Sequence, residues 1–341
     1  MPPPQPEAAS GYTEKPGWAT AKFAVAAANP LATDAGYQVL KAGGSAIDAA
    51  IAVQMVLTLV EPQSSGIGAD GKPMSFIDGV PGTVRMLEMA HQQYGKLPWA
   101  QLFVPAITLA EGGFKISARL NTLLKTEQHL KKDPVAAAYF YQASGSKGLH
   151  EGELAQAIVS KVQNHPTNPG RLSLADMAAY QAKKREPICH DYRAQARDYR
   201  ICGMPPPSSG AIAVGQILGI LNNTRAATLA LDTGMCGTPG SPGGALIIHY
   251  TAKTLYGVLN WGLLPQQAIN LPNFASLNGT TLLEEKRFAP AAIEALRTRG
   301  AEVIETSMTS SLQAIARGQA HGATLWLGGA DPRREGVVMG D

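Results

Sequence analysis

A turn rich in glycine and proline opens directly into an apolar run, and this stretch most constrains how the chain can fold. Residues 237–248 read Gly-Thr-Pro-Gly-Ser-Pro-Gly-Gly-Ala-Leu-Ile-Ile. Gly243 and Gly244 carry no Cβ, so the backbone there can take a positive φ and a ligand can approach the main chain closely. Their N–H groups could then face an anion, as the donors of an oxyanion hole do. The alternative is an ordinary turn, and in either case we predict a strand over residues 245–250.

The composition predicts a folded chain with a sizeable core. Of the 341 residues, 45% are hydrophobic and 16% are charged, and the formal net charge is only +3. These values argue against disorder except at the ends. The basic clusters Lys131-Lys132 and Lys183-Lys184-Arg185 lack an aromatic platform, so nucleic acid is not an expected partner.

The cysteines and histidines do not follow a metal-binding pattern. The three cysteines, Cys189, Cys202 and Cys236, are widely spaced and odd in number, so we expect buried apolar fillers rather than a disulfide framework or a metal site. A bond between Cys189 and Cys202 across two neighbouring strands is the alternative. The seven histidines are scattered without ligand spacing, and no metal or other cofactor is expected.

The longest apolar run, Ala46–Val60, contains Asp48 and Gln54 and is too short to cross a bilayer. We therefore interpret it as a core helix and expect no membrane span. The first six residues lack the basic and apolar regions of a secretory signal.

Hydrophobic periodicity predicts alternating helices and strands, with a mainly helical first half. Thr33 or Asp34 is predicted to cap a helix that ends at Gly43-Gly44, and Ser45 to cap the helix that runs to Val60. Further helices are predicted over residues 83–94, 99–111, 151–162, 174–182, 211–221, 252–261 and 290–299. Strands are predicted over residues 192–203, 245–250, 302–305, 311–315 and 323–327. The expected fold class is α/β or α+β, in layers.

Other motifs that could indicate a nucleotide-binding site or a nucleophile are excluded by the residues around them. Residues 66–71 match the dinucleotide pattern, but Glu61-Pro62-Gln63 interrupts any preceding strand. As a phosphate-binding loop the stretch fails at Pro73, which stands where Ser or Thr would hold magnesium. Thr280-Thr281 is interpreted as β-prone sequence rather than as a nucleophile, and residues 331–335 as a solvated charged turn.

A series of blocks in order along the chain resembles the signature blocks of the gamma-glutamyltransferases. The blocks are Asn-Pro-Leu-Ala-Thr-Asp-Ala-Gly at 29–36, Gly-Gly-Ser-Ala-Ile-Asp-Ala-Ala at 43–50, Val-Glu-Pro-Gln-Ser-Ser-Gly-Ile-Gly at 60–68, Val-Pro-Gly-Thr-Val at 80–84, Met-Pro-Pro-Pro-Ser-Ser-Gly at 204–210, Gly-Ser-Pro-Gly-Gly at 240–244 and Asp-Pro-Arg-Arg-Glu-Gly at 331–336.

The resemblance implies the αββα sandwich of the N-terminal-nucleophile hydrolases, incomplete in this chain. It implies a precursor that cuts itself into two subunits and transfers the γ-glutamyl group of glutathione to water or to an amino acid. The expected partners are glutathione, γ-glutamyl compounds, acceptor amino acids and the two subunits themselves. Gly243 and Gly244 match the family's oxyanion donors, no cofactor is implied, and the implied location is the periplasm or cell exterior.

The sequence departs from the family where most of its chemistry lies. Gly68 runs straight into Ala69, without the Arg-Glu-Thr-Ala-Pro segment whose arginine binds the substrate carboxylate. Between Leu221 and Thr228 the long region with the nucleophilic threonine is missing. The chain therefore resembles a family member from which interior segments have been removed, and we expect it to be inactive by itself.

We expect a single family-like domain over residues 1–341, with residues 17–222 matching the large subunit and residues 226–341 the small one. Two alternative functions stay open. One is a cephalosporin-acylase-type amidohydrolase of the same fold, which would lack the carboxylate-binding arginine. The other is a non-enzymatic remnant that acts as a binding protein.

Overall fold

The described residues divide into two units. The computed structural model describes residues 11–62, 64–66, 82–126, 152–164, 169–195, 197–206, 208–224, 236–320 and 323–341. One unit, within residues 34–184, is helical in the part that is described. The other combines the residues up to Thr33 with those from Arg185 onward, and it holds the strands.

Local capping signals set the limits of the first helices. The Ser45 Oγ accepts the N–H of Asp48 at 3.1 Å, and the Asp48 carboxylate accepts the N–H of Ser45 at 2.8 Å, so the predicted start of α2 is confirmed. The preceding helix starts earlier than predicted, because Asn29 Oδ1 accepts the N–H of Leu31 at 3.0 Å. The helices up to residue 184 are α1 (Pro30–Lys41), α2 (Ala46–Val60), α3 (Thr83–Tyr94), α4 (Val104–Gly112), α5 (Ala118–Thr126), α6 (Glu153–Gln163) and α7 (Leu174–Ala179), with a 3₁₀ helix at Trp99–Phe103.

A buried ion pair ties α5 to the end of α2. The Arg119 Nη2 lies 2.5 Å from the Glu61 Oε2, and both side chains are almost fully buried. Because each charge neutralises the other, the pair avoids the large cost of an isolated buried charge.

The second unit contains four sheets among its described residues. Its elements are β1 (Trp18–Thr20), β2 (Ala24–Ala27), β3 (Ile188–Ala194), β4 (Arg197–Gly203), α8 (Gly210–Asn222), β5 (Cys236–Gly240), α9 (Ile247–Leu259), α10 (Pro265–Asn270), β6 (Phe274–Ser276), β7 (Thr281–Glu284), α11 (Pro290–Thr298), β8 (Val303–Thr306), β9 (Gln313–Ala320), β10 (Ala323–Ala330) and β11 (Val337–Gly340). The strand orders are β1-β10-β9-β5, β11-β2, β3-β4 and β6-β7-β8. None of the helices in the described part of the chain is long and apolar enough to cross a bilayer.

The largest sheet lies between helices and a second sheet. Strand β2 contacts β9 and β10, and the Cβ position of Gly328 lies 2.5 Å from the Val338 side chain, so the β11–β2 pair packs against one face. Helices α9 and α10 pack against the sheet as well. Leu312 and Ala314 join an apolar cluster with Leu246 at the start of α9. This layering of helix and sheet confirms the expected class, α/β or α+β in layers, and the antiparallel pairing of the largest sheet favours α+β.

Residues 245–250 are helical, so the strand predicted there is wrong. A 3₁₀ helix at Gly244–Leu246 leads into α9. A short continuous apolar run fits a buried helix as well as a buried strand, and periodicity alone does not separate the two. Packing decides here, because Leu246 and Tyr250 lie one helical turn apart and are both buried in one cluster.

Cys189 and Cys202 form a disulfide, so the expectation of buried apolar fillers is wrong for these two residues. They stand directly opposite each other in the antiparallel register of β3 and β4. Such pairing brings two Cβ atoms within reach of a disulfide. The single strand predicted over residues 192–203 is in fact part of this hairpin.

Candidate functional site

Gly243 and Gly244 form the sharp turn between β5 and α9. Their φ angles are +144° and +58°, in the region that favours glycine. A Cβ on Gly243 would lie 2.7 Å from the Cε2 of Tyr250, whose side chain is fully buried. Both positions therefore demand glycine, one of them for packing as well as for backbone conformation.

The two glycine N–H groups lie at the start of a helical segment. In the part of the chain that the structure describes, neither N–H has a hydrogen-bond acceptor. The first N–H groups of a helix lack an intrahelical partner, and the helix dipole there favours negative charge. Gly244 is exposed whereas Gly243 is buried. The turn can thus present backbone donors to an anion that approaches from solvent.

Ser241 holds this turn against the neighbouring strand. Its Oγ accepts the main-chain N–H of Ser311 at 3.1 Å and donates to the carbonyl of Pro242 at 2.7 Å. One residue earlier, Gly240 stands opposite Gln313 in the register of β5 and β9. The chain that leads into the turn is therefore held against β9 and the residues just before it.

Two polar side chains beside the turn are buried without a partner. Ser311 is fully buried, and its Oγ has no hydrogen-bond partner among the described residues. Both amide atoms of Gln313 are also buried and unpaired in that part of the chain. Unpaired buried polar groups of this kind destabilise a fold.

Residues 331–335 are not the solvated turn that the sequence predicted. Asp331, Arg333 and Arg334 are at most 2% exposed. The Arg333 guanidinium binds the Glu284 carboxylate through two hydrogen bonds of 2.6 and 2.7 Å, and it lies 3.1 Å from the Asp331 carboxylate. These pairs neutralise the charges, which is what permits burial. Burial alone would lower the pKa of Arg333, but the bonds to Glu284 and the charge of Asp331 raise it.

The same network supports the segment that leads into β9. Asp331 accepts the Ser310 hydroxyl at 2.5 Å and the N–H of Leu312 at 2.8 Å. Arg334 donates to the carbonyls of Thr309 and Ser310, each at 3.1 Å. The family block at residues 331–336 thus positions the chain that anchors the Gly243–Gly244 turn. Sequence reasoning missed this role, because a run of charges gives no signal of burial.

Lys253 on α9 is a further buried group that the sequence did not indicate. Its Nζ donates to the carbonyls of Ile269 and Leu271 and to the Asn273 side chain, at 2.7 to 3.3 Å. Burial, with a contribution from the charge of Arg333, lowers the pKa of Lys253 to about 7.

The other sequence-level candidates lie elsewhere or outside the described residues. Thr281 opens β7, paired with Ser276 and Val303, so its interpretation as strand sequence is confirmed. Most of residues 66–71 and the Lys131-Lys132 cluster lie outside the described residues. Among the residues that are described, no three His, Cys, Asp or Glu side chains group as a metal site would require.

Sequence comparisons place these features in a family context. The chain matches the family described as "Gamma-glutamyltranspeptidase" in stretches covering residues 32–78, 74–148, 142–238 and 224–341. It is 32% identical to the capsule biosynthesis protein CapD proenzyme of Bacillus anthracis, over 55% of this chain and 42% of that protein. It is 30% identical to the glutathione hydrolase proenzyme of Bacillus subtilis, over 58% of this chain and 44% of that protein. The chain thus spans less than half the length of these two relatives.

The second of these alignments indicates that the chain is shorter than the relative within the aligned stretch. It runs over 266 positions but takes in 58% of the 341 residues, which is fewer residues than there are aligned positions. Part of the aligned stretch of the relative therefore has no counterpart here.

A solved structure supports the fold. The cephalosporin acylase of Bacillus halodurans superposes with a TM-score of 0.74 over 100% of this chain and 99% of that chain, at 20% identity. At that identity the likeness establishes the fold alone, and it confirms the αββα type expected from the resemblance. The family match reaches from residue 32 to residue 341, and the chain therefore belongs to the gamma-glutamyltranspeptidase family.

Proposed function

We propose that the chain is part of a gamma-glutamyltransferase that transfers the γ-glutamyl group of glutathione and related γ-glutamyl amides to water or to amino acids. The observation that carries this proposal is the pair of unpaired N–H groups at Gly243 and Gly244, at the start of the helical segment that leads into α9. Family membership indicates the class of reaction. The turn provides the backbone donors of the proposed oxyanion hole, which is the part of the catalytic machinery that these residues contain.

In a complete family member, we propose that a processed threonine attacks the γ-carbonyl carbon and that its own α-amine takes the hydroxyl proton. As the C–O bond forms, the carbonyl oxygen gains negative charge, which the N–H groups of Gly243 and Gly244 stabilise. The C–N bond then breaks and the leaving amine takes up the proton. Water or an amino acid resolves the γ-glutamyl-threonine ester, so the cycle needs no cofactor.

The chain by itself lacks the attacking group, and we propose that it is inactive alone. The alignment positions without a counterpart support this view. For a complete precursor we propose a cut into a large subunit matching residues 17–222 and a small one matching residues 226–341. The relatives named as proenzymes support such processing.

We also propose a periplasmic or extracellular location. The Cys189–Cys202 bond supports it, because disulfides persist mainly in oxidising compartments.

The test uses the protein encoded by the gene when it is read without interruption between residues 68 and 70 and between residues 221 and 230. Its purified product should release the amine from a γ-glutamyl anilide, and an acceptor dipeptide should accelerate the release. The 341-residue chain should release none above a control without protein. Turnover by the short chain would show that another residue is the nucleophile, and no turnover by the complete product would contradict the proposed activity.

A cephalosporin-acylase-type activity is the second candidate. The absence of the Arg-Glu-Thr-Ala-Pro segment favours it, because such an enzyme does not need a clamp for an α-carboxylate. An N-acyl cephalosporin should then be cleaved faster than the γ-glutamyl anilide. If the complete product binds neither compound, a non-enzymatic role is the better account.

A further inference from the structure

Two cations share the same two main-chain carbonyls in the core of the second unit. The Lys253 Nζ donates to the carbonyls of Ile269 and Leu271 at 3.3 and 2.7 Å. The Arg333 guanidinium donates to the same two oxygens at 3.4 and 3.3 Å. Arg333 also pairs with two carboxylates, whereas in the described part of the chain the acceptors of Lys253 are neutral.

Lys253 is the member of this pair that can lose its charge. A guanidinium stays charged at any ordinary pH, whereas burial makes an ammonium lose its proton more readily. Burial is the main reason why the pKa of Lys253 is about 7. The charged side chains that act on it are Arg333 and Arg287, which lower the pKa, and Asp331 and Glu284, which raise it. Near neutral pH the charged and neutral forms of Lys253 therefore coexist.

A directed chain of hydrogen bonds runs from Lys253 to the Asp331 carboxylate. The Lys253 Nζ donates to the Asn273 Oδ1 at 2.9 Å, and the Asn273 Nδ2 donates to the Ser310 Oγ at 2.8 Å. The Ser310 Oγ in turn donates to the Asp331 Oδ2 at 2.5 Å. All four side chains are buried. Because each hydrogen bond polarises the next, a charged donor at one end strengthens the whole chain.

The far end of this chain holds the segment that anchors the turn. Asp331 accepts the N–H of Leu312 at 2.8 Å, and the preceding Ser311 donates its N–H to the Ser241 Oγ at 3.1 Å. Ser241 lies just before the Gly243–Gly244 turn. A change in the hydrogen bonds of Asp331 therefore acts on the backbone against which the turn is held.

We propose that Lys253 is a positioning residue for the Gly243–Gly244 turn. A neutral amine has two N–H groups for three acceptors, so loss of the proton removes one hydrogen bond and weakens the others. The bonds through Asn273 and Ser310 weaken with them, and the turn moves from the position that it has in the charged form. Lys253 acts on catalysis only if the turn has the role proposed above, but its effect on the turn can be measured without turnover.

The test follows the ¹³Cα resonances of Gly243 and Gly244 in the full chain between about pH 6 and pH 9, after glycine-selective labelling. Both should move in one step with a midpoint of about 7, and the ¹³Cε resonance of Lys253 should move with the same midpoint. The exposed Gly300, which follows α11, should show no such step. His249, in the first turn of α9, titrates at lower pH, because burial lowers its pKa from 6.5.

Two variants separate the proposed route from others. Lys253→Met should abolish the step at both glycines. Ser310→Ala should also abolish it, although the ¹³Cε resonance of Lys253 should still titrate, because this change cuts the chain beyond Asn273. Lys286→Met and Ser208→Ala are the matched controls, since both side chains are exposed, and both should retain the step.

A step that survives in Lys253→Met or in Ser310→Ala would overturn the proposal. If these variants do not fold, the unmodified chain decides. Glycine resonances that stay fixed while Lys253 titrates, or that move with another midpoint, would overturn the proposal, and so would a Lys253 that does not titrate below pH 9. Turnover by the complete product tests the transferase activity separately, so failure of one proposal is distinguishable from failure of the other.

Discussion

The main-chain N–H of Ser311 donates to the Ser241 Oγ at 3.1 Å, and this bond joins two segments that are 70 residues apart in sequence. Ser241 stands two residues before Gly243, and Ser311 stands two residues before β9 begins. Through Asp331 and Ser310 the bond extends to the buried Arg333–Glu284 pair. The turn that offers backbone donors is thus held by a polar network from the carboxyl-terminal part of the chain.

Replacing Ser241 by Ala should loosen the turn. The change leaves the buried N–H of Ser311 without its acceptor, so we expect a loss of about 1 to 3 kcal/mol in the free energy of unfolding. Urea unfolding measures this loss. Ser208→Ala is the control, since the Ser208 Oγ accepts an N–H in an exposed turn, and it should cost well under about 1 kcal/mol. Equal losses in the two variants would contradict the anchoring role of Ser241.

Lys253 should make stability depend on pH. Its pKa is lowered to about 7 in the folded chain from an ordinary value of 10.5, so between these limits the unfolded chain binds more protons. Stability should therefore rise as pH increases from about 7 towards 10.5, by up to about 1.4 kcal/mol per pH unit. Urea unfolding at pH 7, 8 and 9 measures the slope.

Lys253→Met should remove that slope. Lys286→Met, at an exposed position, should retain it. A parent protein whose stability falls over this pH range would contradict the lowered pKa.

The hairpin disulfide predicts a thiol count. Chain that is folded under oxidising conditions and then denatured without reductant should react as one free thiol, from Cys236, of its three cysteines. Replacing both Cys189 and Cys202 by Ser should cost about 2 to 4 kcal/mol in the free energy of unfolding, because the bond constrains the unfolded chain. Three reactive thiols in the oxidised protein would rule out the pairing.

A polypeptide made of these 341 residues should remain one chain. The self-cleavage that we propose for a complete family member needs the hydroxyl of a nucleophilic threonine, and the region expected to hold that threonine is missing between Leu221 and Thr228. Intact-mass measurement after prolonged incubation should give a single species of 35.8 kDa. Two fragments, the smaller beginning with threonine, would show that the nucleophile is present after all.

Local signals predicted local structure well. The Ser45–Asp48 capping box and the periodicity of α3 are written in neighbouring residues, so their helices could be located from the sequence. The apolar run at residues 245–250 could not be assigned in the same way, because its helical form depends on packing around Tyr250. The glycine pair itself was recognisable, since residues without a Cβ are the ones that readily adopt a positive φ.

Contacts between residues that are distant in the sequence could not be predicted from the sequence alone. Asp331 and Arg333 are buried because Glu284 and Ser310 come from distant segments to meet them. The residues around position 331 give no sequence signal of those partners. A short run of charged residues is normally exposed to solvent. For the same reason the sequence offers the Cys189–Cys202 bond only as an alternative to buried fillers, because the pairing depends on the register of two strands, which the spacing does not define.

The most direct test of the account is the rate of a Gly244→Val variant in the complete, self-processed protein. A branched Cβ at a φ of +58° should displace at least one N–H donor. Because we propose that those donors meet a charge that exists only in the transition state, we expect kcat to fall while KM changes little. The matched control is Gly279→Val, since a Cβ at Gly279 meets no atom within 4 Å. We expect kcat to fall by on the order of 10² to 10³, or about 3 to 4 kcal/mol, in Gly244→Val alone. A folded, processed Gly244→Val enzyme with the kcat of its parent would contradict the account and leave the glycine pair as an ordinary turn.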